Sequence, residues 1–135
     1  MNRKRQLLAD AVLLMALTAC SHSVNQARAE DLIRSYLATK YNVKNLTLTD
    51  MGPSHQPGAE GAVEVRASFV VDHRGQALRF ENQPFILTYN QVARDWEVNP
   101  SLTFVLATIQ NRCYMQDCIQ YATQHPNNPT WHSNN

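Results

Sequence analysis

The chain has 135 residues, 44% of them apolar, with 12 Lys and Arg against 11 Asp and Glu. A chain of this size buries only about two-thirds of its unfolded surface even as one unit, which excludes a second core. The apolar fraction excludes disorder through the middle of the chain, and the charge balance leaves no basic stripe of the kind nucleic-acid binders carry.

Met1 to Arg5 is cationic, and Leu7 to Ala19 is a mostly apolar run interrupted by Asp10 and Thr18. As a helix that run reaches about 20 Å, against a hydrocarbon core of about 30 Å. Residues 1–19 therefore read as a processed export signal and not as a permanent anchor. Arg3, Lys4, Arg5 and Asp10 leave with it, and the remainder carries nine cationic against ten anionic side chains.

Leu17-Thr18-Ala19-Cys20 resembles the lipobox of bacterial lipoproteins, a likeness confined to the first twenty residues. It implies that Cys20 is lipidated on sulfur and becomes the new N-terminus. Each buried acyl CH₂ contributes about 0.8 kcal/mol, so several chains on one cysteine hold a protein firmly on a membrane. By resemblance to Gram-negative lipoproteins, Ser21 in place of Asp implies delivery to the outer membrane, at its periplasmic face. Residues 20–27 are then the lipidated cysteine and a short spacer, 28–123 a single periplasmic domain, and 124–135, rich in Asn and Pro, a disordered tail.

Leu32, Ile33, Tyr36, Leu37 and Tyr41 form one stripe of an amphipathic helix between Ala27 and Tyr41, with Asn42 as its stop. Asn45 to Met51 alternates like a strand, and residues 52–58 have turn chemistry throughout. In Gly61 to Asp72 the side chains of Val63, Val65, Ala67, Phe69 and Val71 share one face, opposite Glu64, Arg66 and Ser68. Asp72-His73-Arg74-Gly75 supplies a hairpin, and Gln76 to Tyr89 returns as the next strand. Pro84 inside it predicts an edge, a bulge or a split. Residues 92–95 are a second turn, and Trp96-Glu97-Val98 begins a fourth strand. Asn99-Pro100-Ser101 reads as a helix start, followed by a stripe of Leu102, Val105, Leu106, Ile109 and Cys113, although β-branched residues leave strand open for 102–109. The fold class is α+β: an N-terminal amphipathic helix, an antiparallel meander of three to four strands, and a C-terminal helix with a disulfide loop. That order, with the hairpin from Thr88 to Val98, resembles the cystatin-like and nuclear-transport-factor-2-like group of folds.

With Cys20 lipidated, Cys113 and Cys118 remain, and an even pair in an oxidising compartment is expected to be bridged. Residues five apart on a helix lie about 7.5 Å apart along its axis, whereas bridged cysteines need Cα atoms within ~7 Å, so the bond requires a bent or interrupted helix. A reduced pair is the alternative. The spacing does not match a dithiol redox motif.

The five histidines show no metal-ligand spacing, and no serine sits in a glycine elbow. Neither a metal nor a cofactor is expected. If the sheet has a concave pocket, Arg66, Ser68, Glu81 and Tyr89 are its polar candidates; clustering of Glu81, His73 and Arg66 around one cavity would favour an enzyme. Tyr114, Met115 and Tyr121, near the cysteine pair, are the candidate partner-binding residues, because aromatics and methionine are enriched at interface centres. The expectation is a non-enzymatic, lipid-anchored accessory or assembly protein of an envelope machine such as a secretion or conjugation system. It would touch membrane through Cys20 and an envelope protein through this region, with no nucleic acid involved. Its alternatives are a small-ligand-binding cystatin-like domain, which needs an apolar cavity, and a periplasmic inhibitor of a cell-wall hydrolase, which needs a protruding loop.

Overall fold

Asn25 opens the first helix, α1 (Gln26–Ala38), by accepting the Arg28 backbone N–H at 2.8 Å, which satisfies one donor that a helix start leaves orphaned. The structure is a computed structural model that describes residues 22–127; the leader, Cys20 and positions 128–135 of the expected tail lie outside the described residues. Ala29, Ile33 and Leu37, one turn apart, are fully buried, with Leu32 and Tyr36 packed at their margin. Asn42 is not the helix stop but the first residue of β1 (Asn42–Pro53), where it pairs with Asp72.

β2 (Val63–His73), β3 (Gln76–Asn90) and β4 (Asp95–Val98) complete a four-stranded antiparallel meander in the order β1-β2-β3-β4. On β2 the side chains of Val65, Ala67, Phe69 and Val71 point into the core, as the alternation requires. Arg74 (φ 50°) and Gly75 (φ 79°) connect β2 to β3, both in the positive-φ region that a tight two-residue hairpin demands.

β3 changes phase partway along. Ala67 pairs with Gln83 and Phe69 with Phe80, so Glu81 and Asn82 together oppose Ser68. This bulge is held by Asn82, at φ 50°, whose N–H donates to Ser68 Oγ at 3.1 Å. Leu78 and Phe80 face the core before the bulge; Phe85 and Leu87 face it afterwards. Pro84 follows immediately, where β3 has β2 on one side and no strand on the other, because β4 pairs only with Leu87 to Asn90.

The C-terminal helix, α2 (Val105–Gln124), starts five residues later than the Asn99-Pro100 signal suggests. Asn99 Oδ1 instead accepts the N–H groups of Ser101 and Leu102, at 3.0 and 3.2 Å, and closes a turn. Thr103 is then carried into the interior, where its Oγ1 accepts the Ile86 N–H at 3.0 Å. Ile86 lies where β3 outruns β4, so this hydroxyl and the Asn99 N–H, which donates to Ile86 O at 2.8 Å, satisfy backbone groups that no strand reaches.

Val105, Ile109 and Cys113 are the buried residues of α2, and the helix continues without interruption through the cysteine pair. This overturns the expected disulfide loop: Cys113 and Cys118 are free thiols. Five helical steps place them about 140° apart around the axis, Cys113 in the core and Cys118 half-buried on another face.

Both helices cover one face of the sheet, around an aromatic centre in which the Phe69 and Phe80 rings stack at 5.3 Å and Tyr36 meets Phe85 edge-on at 6.4 Å. Across the sheet, Ile86 packs with Ala59, Ala62 and Leu102 in a small second cluster. The result is an α+β fold with two poles. The fifteen residues of β3 span roughly 45 Å, from the β2–β3 turn at one end to the β3–β4 turn at the other.

Candidate docking face

α2 runs antiparallel to β3. Its start is fixed beside Ile86 by Thr103, and the Arg112 guanidinium lies 5.0 Å over the Phe80 ring and donates to the Arg79 carbonyl oxygen. Farther along, Asp117 meets the β2–β3 turn, with Oδ1 2.8 Å from His73 Nε2 and 3.5 Å from Arg74 Nη1. The second half of the helix thus stands at the pole of the β2–β3 turn.

Beyond Cys113, α2 buries no further residue. Its outer face carries Tyr114, Met115 and Ile119, respectively 45%, 58% and 58% exposed. Helical spacing puts Met115 and Ile119 one above the other, with Cys118 and Ala122 alongside, and no charged side chain falls within this arc. The Tyr114 hydroxyl interacts with the Cys118 thiol one turn on, and its pKa is pushed up by local desolvation first and by that thiol second. Burial, and then the negative charge of Asp117, push the Cys113 thiol up as well, so it stays protonated and inert as a nucleophile near neutrality.

Of the three residues singled out from the sequence, Tyr114 and Met115 lie on this face, and Tyr121, almost two turns past Tyr114, sits at its border on the Asp117 side. Tyr121 stacks on His125 at 4.1 Å and lines a separate open cleft of about 230 Å³ with Arg74, Asp117, Gln120 and Gln124. Ile119 belongs to the face and was not among the sequence candidates; the i, i+4 step from Met115 is the signal that identifies it.

Of the polar residues considered for a sheet pocket, only Ser68 and Glu81 meet at one cleft; Arg66, His73 and Tyr89 do not line it. Arg66 engages Glu64 at 3.6 Å and the Asn82 carbonyl at 3.1 Å, Glu81 borders a shallow cleft with Asn45, Ser68 and Arg79, and His73 is held by Asp117. Phe69 and Phe80 fill the core by packing on each other, while Tyr89 lies toward the other pole, stacked on His22 at 3.6 Å and edge-on to Trp96. Among the described residues there is no cluster of three His, Cys, Asp or Glu side chains able to hold a metal ion, and no helix is long and apolar enough to cross a membrane.

Compared with known proteins, the chain matches no family model, no curated protein and no solved structure.

Proposed function

We propose that this protein is a lipid-anchored periplasmic accessory component of an envelope machine, such as a secretion or conjugation apparatus, tethered to the outer membrane through Cys20. Its role is binding, not catalysis, and the partner docks on the outer face of α2. The observation that carries this reading is the uncharged, exposed surface of Tyr114, Met115 and Ile119 on a helix whose inner face is already packed. Each side chain is about half exposed, so burying the remainder contributes roughly 1 kcal/mol apiece before association costs, which suits the centre of a specific interface. The order α1, four-stranded meander, α2 is consistent with the likeness to the cystatin-like group, an arrangement that hosts enzymes, binders and assembly modules alike.

A photo-crosslinking residue placed at Met115 in cells tests the proposal, with Lys44 on the exposed edge strand as the control position. One discrete adduct with an envelope protein is expected from position 115 and none from position 44. Adducts from neither position, or an indiscriminate smear from both, would remove the support for docking on α2.

A further inference from the structure

The described chain begins at the pole opposite the docking face. His22 stacks its ring on Tyr89 at an interplanar angle of 6°, in an open cleft of about 300 Å³ that Gln91 and Trp96 also line. The start of α1 is tied to the same pole by the Arg28–Asp95 ion pair at 2.6 Å. Cys20 is two residues before His22, so its sulfur is attached within about 7 Å of chain from this point.

The β3–β4 turn occupies that pole and has unusual chemistry for a turn. Val92 is 95% exposed at its tip, where Gly, Asn, Asp or Ser is the usual choice. The turn is ordered, since Asn90 Oδ1 accepts the N–H groups of both Val92 and Ala93, at 2.9 and 3.1 Å. Arg94 is exposed beside it, while the nearby carboxylate of Asp95 is engaged by Arg28. A rigid turn offering an apolar tip and a flanking cation matches a bilayer interface, where the valine enters the acyl boundary and the guanidinium meets phosphate.

We infer that the β3–β4 turn rests on the lipid surface, with Val92 inserted, and that this contact orients the tethered domain so that the α2 face points away from the membrane. The occupant of the turn is lipid, because the acyl anchor leaves the chain beside it. The inference rests on acylation of Cys20. Its test measures that acylation separately.

The experiment uses the full chain purified with its native N-terminus and placed in nanodiscs of phosphatidylethanolamine and phosphatidylglycerol. An environment-sensitive fluorescent amino acid is incorporated at Ala93, which leaves Val92 intact, and at Met115 as the distal control; the mass of the N-terminal peptide reports acylation. With Cys20 acylated, brominated lipid is expected to quench the label at position 93 at least about twofold more than at position 115, and Val92→Asp is expected to abolish the difference. Equal quenching at the two positions in acylated protein overturns the inference and leaves the anchor intact. The inference is equally overturned if Val92→Asp changes nothing, or if position 93 is shielded only after an envelope protein is added. An unmodified Cys20 overturns the anchor and this inference together.

Discussion

Thr103 shows how one hydroxyl can decide a local structure. It is buried, and its Oγ1 is the acceptor for the Ile86 N–H at a point where β4 no longer covers β3. Replacing it with valine keeps the shape and removes the acceptor. Thr103→Val is expected to cost about 1–3 kcal/mol, the penalty for a buried donor left unsatisfied, read as a lower urea midpoint with an unchanged slope. Cys113 carries a prediction of the same kind with a pH signature. Burial and Asp117 raise its pKa in the folded protein above the unfolded value, so the folded state holds the proton more tightly. The associated stability is full below the ordinary thiol range and is lost as pH rises through it. Burial raises Tyr36 and Tyr41 too, which extends the loss to higher pH. Urea midpoints at neutral and alkaline pH should therefore fall more for the wild type than for Cys113→Ala. A maleimide reagent should modify half-buried Cys118 before buried Cys113; a chain without two titratable thiols in the native state would contradict both statements.

At the scale of elements, the β2–β3 turn sets two small effects against each other. Arg74 sits at φ 50°, where a long side chain is disfavoured and asparagine is well tolerated. Its ion pair with Asp117 is long, at 3.5 Å, and Arg74 itself is largely exposed, so the pair contributes well under about 1 kcal/mol. Arg74→Asn creates the Asn-Gly sequence preferred in two-residue hairpins and keeps His73 on Asp117; it should leave stability unchanged or raise it by about 0.5 kcal/mol, measured by thermal denaturation. Elements were legible in the sequence wherever periodicity alone fixed them. β2 follows its alternation residue by residue, and α1 buries the stripe through Ile33 and Leu37. β3 was legible only in part: Pro84 signalled an irregularity, but the phase change depends on which residue of β2 faces the bulge. α2 misled twice, for different reasons. Asn99 does cap, but it caps a turn that delivers Thr103 to Ile86, a contact 17 residues away in sequence that no local pattern contains. Compartment and count favoured a bond that requires a bent or interrupted helix, whereas the helix hydrogen-bonds its own backbone through residues 113–118 and holds the thiols on different faces. The exposed side of α2 was legible in part: Tyr114 and Met115 lie on it, whereas Tyr121, almost two full turns past Tyr114, is drawn to its border by stacking on His125 and by the cleft it shares with Asp117.

For the whole molecule, the arrangement separates what holds the fold together from the exposed outer face of α2. One core joins both helices to all four strands, and on α2 it ends at Cys113; nothing beyond that residue on the outer face is needed to close it. The double variant Met115→Asp, Ile119→Asp should therefore still unfold cooperatively, less stable by about 1–2 kcal/mol, because the positions lie outside the core but two aspartates at i, i+4 lower helix propensity and repel each other. The same two carboxylates at the centre of a desolvated interface would each be left without a partner, a cost of several kcal/mol that no rim contact offsets. Near-UV circular dichroism and urea denaturation check the first half of the prediction, and loss of the adduct formed by a crosslinking residue at neighbouring Tyr114 checks the second. Loss of the fold would show that the exposed face contributes to the core. Retention of both fold and adduct would show that Met115 and Ile119 do not carry the binding. Loss of the adduct with the fold intact is the expected result, and it would fix the working surface of the domain at the pole of the β2–β3 turn, roughly the length of β3 away from the β3–β4 turn.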